Sequence, residues 1–536
     1  LAPRVAHREL DGDFALRASD AALADFSRVI VRDDFVREAA TLELAAAHSG
    51  VGTGTLKIGA GARVEVDPGA AIRLKARDAL VVDGALVARG GAVTATLDRS
   101  SGAVNQATNQ NPIWLGDAAR IDVSGIARTR ADSRGQLQGD VLAGGQVTLD
   151  ARTGYVVARP GAVIDVSGAA PVRLAIRNEA GGLGREVGSD AGAVTLFAQE
   201  GLLFDGVLLG RAGVDGLRGG SASFSQSGPF AGPAGIGYSA TSRELLLANT
   251  LAAQSDGLSP DAVIPNADSV RGRVAVAPLP AAGFDRLHFA SGDGIVLADG
   301  LDIGTAATAG TGAPPLAGLT LDAARLVAAG DARLAADVIR LANDDGARRG
   351  ANPETARTGE LKATARWLEL GGELRLTGMA RAELEGSAGV RFTGARDDRQ
   401  SPGAEILADA DLVLRGASVA PATFTDARLI APGRDLRIEG AGQPTNPDSA
   451  QGRLRIVARN IEQAGVLWAP HGQLDLAATG TLTLAPGSLT SVAGAPGTTT
   501  LFGKVQNGRD WIVDLDPETV PQGQIALAAP APKAIR

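Results

Sequence analysis

Residues 63–77 read RVEVDPGAAIRLKAR, and this stretch decides the fold class. Val64 and Val66 alternate with charged residues, and Ile72 and Leu74 do so again after an intervening Pro-Gly pair. Alternation with a period of two is typical of a strand that buries one face, and Pro-Gly favours a tight turn. The stretch therefore predicts two short strands that are joined by a turn, with mixed charges facing outward.

Similar stretches recur along the whole chain. The sequence IDVSG occurs at 121–125 and again at 164–168, an offset of 43 residues. LIAP at 429–432 is matched by LWAP at 467–470, an offset of 38. Repeats of this length indicate a solenoid or a repeat array, and we interpret each offset as two coils of roughly 19–22 residues.

A right-handed parallel β-helix is the solenoid that fits best. Helical repeats need long stretches of period 3.6, which are scarce, and leucine-rich repeats need an asparagine-bearing motif that is missing. A β-propeller closes at about eight blades, or roughly 350 residues. We therefore predict an all-β β-solenoid with loop inserts and a short irregular or helical N-terminal segment.

The composition excludes several classes of protein. The chain has 536 residues, 71 Gly, no Cys, 3% aromatic residues and a net charge of −8. The absence of Cys excludes disulfides, thiolate chemistry and Cys-ligated metals. Acidic charge and few aromatic residues disfavour nucleic acid as a partner. No apolar stretch approaches the roughly 20 residues of a spanning helix, so we expect no membrane-spanning segment.

The pattern divides the chain into four parts. Within them, 34–47 reads as a short helix or an irregular cap, and 242–253 reads as a helix-like stretch. The parts are an irregular N-terminal segment or cap at 1–50, β-helix coils at 51–210, a loop-rich insert region at 211–283, and further coils at 284–536 with inserts near 343–360 and 396–404.

Carboxylates on neighbouring coils are the main candidates for chemistry. Asp122 and Asp165 occupy equivalent positions of the two IDVSG motifs, and two coils would place them roughly 10 Å apart. That separation is just beyond the spacing of inverting glycosidases. We prefer the simpler interpretation, in which each Asp accepts hydrogen bonds from turn amides at a corner.

Other chemistry-bearing residues are scattered, and none forms a recognised site. Residues 210–217 resemble a single calcium-binding nonapeptide, but such sites need consecutive copies. We predict no catalytic residue, no cofactor and no metal site. The remaining candidates are isolated histidines and solvated loop arginines: His7, His48, His288, His471, Arg128, Arg130, Arg134, Arg348 and Arg349.

The repeat style resembles that of the large filamentous-haemagglutinin-like exoproteins of Gram-negative bacteria. The resemblance lies in VGTGTLKIGAGARVEVD at 51–67, GGQVTLDARTGYVVARPGAVIDVSGAA at 144–170, GFDRL at 283–287, and the segment 480–510. It implies export by two-partner secretion, in which an outer-membrane transporter recognises an amino-terminal domain. It also implies a β-helical fibre at the cell surface.

That family's secretion domain typically carries an Asn-Pro-Asn-Gly motif. The nearest stretches here are Asn-Pro-Ile at 111–113 and Asn-Pro-Asp at 446–448, and neither fits. We therefore expect an internal or C-terminal-side shaft segment, excised from a longer chain, that reaches the transporter through a domain outside it. A chain without Cys suits passage across a periplasm in the unfolded state.

The resemblance implies a secreted or cell-surface adhesin, associated with the outer membrane. We expect a non-catalytic shaft that mediates attachment to a host surface, a glycan or other cells. The alternatives are a β-helix polysaccharide lyase or hydrolase, and a stalk that delivers a toxin domain outside this segment. The candidate contact surfaces are the inserts at 97–112, 129–139 and 211–283.

Overall fold

The computed structural model describes most of the chain and shows an all-β fold. Regular structure in the described residues consists of 42 strands and one short helix, Pro278–Ala281 (α1). The described residues are 4–6, 14–16, 39–46, 54–97, 111–131, 136–175, 184–227, 243–262, 264, 270–305, 316–344, 357–394, 403–494, 503–506, 510–513 and 524–528.

The strands of the first half are short, and most have three to six residues. Their bounds are β1 (Arg4–Ala6), β2 (Phe14–Leu16), β3 (Leu42–Ala46), β4 (Thr55–Ile58), β5 (Arg63–Glu65), β6 (Ala71–Ala76), β7 (Ala79–Val82), β8 (Ala85–Val87), β9 (Ala92–Leu97), β10 (Pro112–Leu115), β11 (Arg120–Asp122), β12 (Ile126–Ala131), β13 (Leu137–Leu142), β14 (Gln146–Ala151), β15 (Tyr155–Ala158), β16 (Val163–Asp165), β17 (Val172–Ala175), β18 (Gly184–Val187), β19 (Ala193–Ala198), β20 (Gly201–Phe204), β21 (Val207–Leu209), β22 (Gly220–Gln226), β23 (Glu244–Ala248) and β24 (Val270–Ala275).

Several strands of the second half are longer. Their bounds are β25 (Phe284–Leu297), β26 (Leu301–Ile303), β27 (Gly318–Ala328), β28 (Ala332–Asn343), β29 (Glu360–Thr377), β30 (Arg381–Thr393), β31 (Gly403–Ala408), β32 (Asp411–Gly416), β33 (Val419–Pro421), β34 (Asp426–Gly440), β35 (Arg453–Ala464), β36 (Val466–Trp468), β37 (Gln473–Ala478), β38 (Leu482–Leu484), β39 (Leu489–Ser491), β40 (Gly503–Gln506), β41 (Asp510–Val513) and β42 (Gln524–Ala528).

Strands pair in parallel with strands of the preceding set, which produces three ladders at the start of the chain. The first ladder is β4-β7-β10-β15-β20, the second is β5-β8-β11-β16-β21, and the third is β3-β6-β9-β14-β19-β22. Each of β7, β8 and β9 therefore lies beside the strand three elements earlier. This pattern of parallel pairing fits a β-helix.

The third ladder continues through β25, β27, β28, β29, β30, β33 and β36, and its inward positions stay in register and contribute to the core. The stack begins with Ile72 beside Val93 and ends with Val419 beside Leu467, and all of its side chains are buried. Burying each Leu, Ile or Val contributes about 1.5–3 kcal/mol. The stack consists of Ile72, Val93, Val147, Val194, Ala222, Leu287, Leu319, Ile339, Leu368, Val390, Val419 and Leu467.

Outward positions of the parallel strands carry polar side chains that pair between rungs. The Arg415 guanidinium lies 3.1 Å from Glu385 on one side and 2.7 Å from Glu439 on the other. The Lys75 ammonium contacts Glu43 in the same way, at 2.8 Å. Mixed charges therefore face outward, as the sequence predicted, and the structure shows in addition that they pair between rungs.

The predicted interpretation of the 43-residue offset is wrong. Ile121 pairs directly with Ile164, so the two IDVSG motifs lie on adjacent rungs and one rung, not two, separates them. The extra length is the antiparallel hairpin β12–β13, which leaves the ladder and returns to it. Where no insert intervenes, as from Ile72 to Val93, one rung takes 21 residues.

The predicted 38-residue repeat does not correspond to stacked positions. Leu429 pairs with Ile456, whereas Leu467 pairs with Val419, so the two motifs belong to different stacks. The similarity of LIAP and LWAP reflects only that both sequences fill a buried strand followed by a turn.

The helix-like stretch predicted at 242–253 is also wrong where the structure describes it. Residues 244–248 form β23, in which Leu245 and Leu247 are fully buried. Parallel pairing with β24 and β25 supplies the burial that the sequence pattern had suggested for a helix face. In the predicted N-terminal helix or cap, residues 42–46 form β3 instead of a helix, and 34–38 lie outside the described residues.

The predicted inserts differ in how far the structure describes them. In 211–283, the strands β22, β23 and β24 join the parallel pairing, and 228–242, 263 and 265–269 lie outside the described residues. In the insert at 129–139, residues 129–131 pair with 137–139 in the β12–β13 hairpin, and 132–135 lie outside the described residues. Most of the residues in the other predicted inserts lie outside the described residues, namely 98–110, 345–356 and 395–402.

Candidate functional site

The predicted candidates are Asp122 and Asp165, and each accepts hydrogen bonds from the turn that directly follows it. Asp122 Oδ1 accepts hydrogen bonds from the backbone N of Ser124 at 2.9 Å and from its Oγ at 2.6 Å. Asp165 Oδ1 accepts one from the backbone N of Ser167 at 2.9 Å. The two residues pair on adjacent rungs, about 4.8 Å apart, rather than at the predicted distance of about 10 Å. The prediction that they cap corner amides is confirmed.

The basic loop candidates do not form a cluster in the described residues. Arg128 binds Asp140 across the β12–β13 hairpin, and this hydrogen bond lowers the pKa of the Asp140 carboxyl. Arg130 is exposed on the same hairpin. Arg134, Arg348, Arg349, His7 and His48 lie outside the described residues.

Two of the isolated histidines, His288 and His471, lie among the described residues. The His288 side chain points away from the core, and its Nδ1 lies 3.0 Å from Ser223 Oγ on the neighbouring rung. Residues 210–217 show no arrangement for calcium: in the part of the chain that the structure describes, no group of acidic or histidine side chains could hold a metal ion.

The most unusual backbone in the described residues occurs at one corner of the second half. Phe424, Gln451 and His471 have φ angles of 58°, 60° and 54°, and no other described residue except Gly has a positive φ. A positive φ costs a residue with a side chain roughly 1–2 kcal/mol, because Cβ crowds the following carbonyl oxygen.

These three residues are stacked. Each lies two residues before a strand, and the first residues of those strands, Asp426, Arg453 and Gln473, pair with one another in parallel register. The same strained conformation therefore recurs at the same place on three consecutive rungs.

Elsewhere the chain fills this position with Gly. The residues two positions before β5, β6, β9 and β39 are Gly61, Gly69, Gly90 and Gly487, and all four have positive φ. Gly adopts this conformation without steric cost. The turn itself therefore needs only Gly at this position, and the side chains of Phe424, Gln451 and His471 are not required to form it.

The comparison is closest for His471. Ala469-Pro470-His471-Gly472 is closed by a hydrogen bond from Gly472 N to Ala469 O at 2.9 Å. Ala-Pro-Gly-Ser at 485–488 is closed by the equivalent bond, from Ser488 N to Ala485 O, at 3.1 Å. A turn of this kind requires positive φ at its third residue, which is His in one case and Gly in the other.

The stacked corner opens into a surface cleft of about 280 Å³, which we call the corner cleft. Phe424 is 53% exposed there, and it is the one aromatic residue among the exposed large hydrophobic residues of the described chain. The imidazole of His471 lies against Gly494, where an added Cβ would come within 2.6 Å of Nε2. The residues that line the cleft are Phe424, Thr425, Asp426, Gln451, Arg453, His471, Gly472 and Gln473.

The corner cleft contains three polar side chains that are not engaged with each other, namely Asp426, Arg453 and Gln473. Asp426 and Arg453 face each other in register, yet they form no ion pair, and neither they nor Gln473 make a side-chain hydrogen bond within the described residues. Elsewhere, opposite charges in register do pair, as Arg415 does with Glu385 and Glu439. The cleft therefore offers a carboxylate, a guanidinium and an amide to a ligand.

Two further clefts are lined by charges that already satisfy one another. In a cleft of about 550 Å³, Arg340 binds Glu369 at 3.1 Å and Thr393 at 2.8 Å. In another, of about 390 Å³, Asp435 binds Arg459, and this hydrogen bond lowers the pKa of the Asp435 carboxyl. In these two clefts the outward charges of neighbouring rungs pair with one another. The corner cleft is therefore the stronger candidate for a binding site.

A buried cluster of charges lies elsewhere in the same fold. Arg325 binds Asp293 at 2.9 Å and Glu244 at 3.2 Å, and Arg243 binds Glu200 at 2.9 Å. All five residues are buried, so the cluster belongs to the interior and not to a surface site.

Sequence reasoning missed both the corner cleft and the buried cluster. The sequence contained one signal for the cleft. Ala-Pro-His-Gly at 469–472 has His at the third position of the turn, where Ala-Pro-Gly-Ser at 485–488 has Gly. Residues 424 and 451 carried no such signal, because their turns have no glycine-bearing counterpart of similar sequence.

No family model, no curated protein and no solved structure matched the chain significantly. Among the described residues, the helix is too short to cross a bilayer, and no candidate for a membrane span was found.

Proposed function

We propose that the chain winds as a right-handed parallel β-helix and forms the shaft of a secreted or cell-surface exoprotein, of the filamentous-haemagglutinin-like kind, that serves attachment. The observation that carries the proposal is the third ladder, whose buried stack continues from Ile72 to Leu467 through parallel pairing alone. The right-handed course follows the strong preference of parallel strand connections for that hand.

Such a shaft holds contact surfaces at a distance. Neighbouring rungs are spaced by about 4.8 Å, so each rung that is added extends the ladder by that amount. The corner cleft is one such surface, and Phe424 is 53% exposed there. In this proposal the transporter partner acts through a domain outside this segment, and the segment itself makes the contact with a surface.

The composition of the corner cleft favours binding over hydrolysis. Among its lining residues Asp426 is the single carboxylate. Glycosidases use two carboxyl groups, one as acid and one as base or nucleophile. Adhesion without catalysis is therefore the function that we propose.

The test is a binding screen of the purified segment on a glycan array and on intact cells, followed by an assay for released reducing sugar on every ligand found. Binding without release is the expected result. Release of sugar would replace adhesion by a lyase or hydrolase activity. A segment that binds neither glycans nor cells would contradict the attachment function.

A further inference from the structure

We propose that the corner cleft binds the ring of a neutral sugar, stacked on Phe424 and held by Asp426, Arg453 and Gln473. The inference rests on the attachment function proposed above and adds a site and a ligand class to it. It starts from the strain at the corner, since strained residues that the fold does not need are characteristic of ligand sites.

The shape of the cleft sets the size of the ligand. Its volume of about 280 Å³ lies just below the range of about 300–1,000 Å³ that is typical of small-molecule sites, which suits one ring rather than a long segment of polymer. Phe424 forms an exposed aromatic wall beside it. The C–H face of a pyranose is apolar enough to cover an aromatic ring, while its hydroxyl groups remain free at the rim.

The polar groups set the chemistry of the ligand. A carboxylate only accepts hydrogen bonds, a guanidinium only donates them, and an amide does both. Sugar hydroxyl groups also donate and accept, so they match the mixed set of Asp426, Arg453 and Gln473. A strongly anionic sugar would meet the Asp426 carboxylate, and a cationic one would meet Arg453, so the set favours a neutral ring.

The three residues with positive φ angles all contribute to the cleft. Phe424, Gln451 and His471 lie on three consecutive rungs and line it, at a position that Gly occupies elsewhere in the chain. If the side chains serve the ligand, replacing them by Gly removes binding and leaves the turn intact.

The test uses titration by saturation-transfer NMR with methyl glycosides of galactose, glucose, mannose and N-acetylglucosamine as neutral probes. N-acetylneuraminic acid is the anionic probe and glucosamine the cationic one. A single ring of this size binds with a dissociation constant of about 1 mM. We expect at least one neutral probe to bind, and the two charged probes to bind at least tenfold more weakly.

Variants assign the binding to the cleft. Phe424→Gly and Asp426→Asn should each weaken binding at least tenfold, and Phe424→Trp, which retains an aromatic wall, should keep it. Leu217→Gly is the matched control, because Leu217 is another exposed apolar residue of a turn, outside the cleft. The melting temperature of Phe424→Gly should equal or exceed that of the unaltered chain.

The outcomes distinguish failure of the sugar-binding inference from failure of the attachment function on which it rests. If the unaltered segment binds glycans on the array and both cleft variants bind them equally well, the inference fails and the attachment function stands. If the charged probes bind best, the ligand class is wrong. If Phe424→Gly lowers the melting temperature markedly, the ring serves the fold and the argument from strain fails. If the segment binds neither glycans nor cells, the attachment function itself fails.

Discussion

A side chain at positive φ, where other corners have Gly, distinguishes the corner cleft from those corners of the fold. His471 occupies the third position of an Ala-Pro turn at a φ of 54°, and Gly487 occupies the same position of a second Ala-Pro turn at 80°. The two turns lie near each other in sequence and carry the same closing hydrogen bond, so they form an internal comparison of one turn with and without a side chain.

Exchanging these two residues should move stability in opposite directions. His471→Gly is expected to raise the free energy of unfolding by about 1 kcal/mol, because Gly relieves the crowding at positive φ. Gly487→His should lower it by about 1–2 kcal/mol for the same reason. Urea denaturation followed by circular dichroism measures both changes. A clear loss of stability in His471→Gly would show that the imidazole supports the fold.

The residue scale also marks the limit of prediction from sequence. Alternation identified which residues face the core, as for Val64, Val66, Ile72 and Leu74, because burial of every second side chain is a local property. The positive φ angle of a non-Gly turn residue cannot be read from the neighbouring sequence in this way. Tertiary packing holds the residue in a backbone conformation that its side chain disfavours. Phe424 and Gln451 could therefore not be found from the sequence.

At the scale of elements, the charge ladders and the buried cluster differ in what they contribute. Arg366 forms two hydrogen bonds with Asp337, at 2.8 Å and 3.0 Å, but both side chains are about half exposed. Exposed pairs contribute little, because water and salt screen them. Arg325 is 2% exposed and serves two carboxylates, so its removal leaves charges without compensation in the interior.

Arg325→Leu should therefore lower the free energy of unfolding by about 3–5 kcal/mol. Arg366→Leu is the matched control, and it should change that free energy by less than about 1 kcal/mol. Denaturant titration of the two variants beside the unaltered chain provides the measurement. Equal effects of the two substitutions would contradict the assignment of Arg325 to a buried network.

The exposed pairs of arginine and carboxylate side chains should make the free energy of unfolding depend on pH in the acidic range. Hydrogen bonds from arginine lower the pKa of Asp435, Asp337 and Glu383, with Arg459, Arg366 and Arg381 as the respective donors. A carboxyl with a lowered pKa in the folded state stabilises the fold above the pKa of the unfolded chain, about 4. This contribution is lost as the pH falls through the lower, folded pKa.

The urea midpoint should accordingly stay level from about pH 7 to 5 and fall below about pH 4. Asp435→Asn should reduce that fall, since one of the titrating carboxyl groups is then absent. Denaturation at pH 7, 5, 4 and 3 tests this. A midpoint that rises on acidification would contradict the direction of the pKa shifts.

An inserted hairpin explains why the 43-residue offset was wrongly interpreted as two coils. The pair Ile121 and Ile164 lies on adjacent rungs although 43 residues separate them, because the β12–β13 hairpin is inserted between those rungs. An insert changes the spacing without disturbing the alternation of the strands on either side. The offset between the two IDVSG motifs therefore measures a coil plus an insert, and the length of a coil alone appears where the turns are short, as from Ile72 to Val93.

At the scale of the whole molecule, one continuous parallel ladder organises the chain. The ladder accounts for the low aromatic content, since its inward positions are filled mainly by Val, Leu, Ile and Ala, with a few stacked rings such as Phe224 and Phe289, whose centroids lie 5.5 Å apart. The fold class followed from the sequence because the alternation repeats throughout. The register did not, because inserts of different length separate the rungs.

Cysteine cross-linking tests the ladder most directly, because the chain contains no Cys that could interfere. Thr94, Thr148 and Thr195 lie at outward positions on three consecutive rungs. Adjacent rungs are about 4.8 Å apart, which a disulfide can span, whereas two rungs are about 9.6 Å apart, which it cannot.

The measurement compares two double variants, Thr148→Cys with Thr195→Cys and Thr94→Cys with Thr195→Cys, under mild oxidation and with mass spectrometry of the linked peptides. The ladder predicts an efficient disulfide within a single chain for the first variant and none for the second. A disulfide in the second variant, or failure of the first to form one, would contradict the parallel stacking on which the whole account depends.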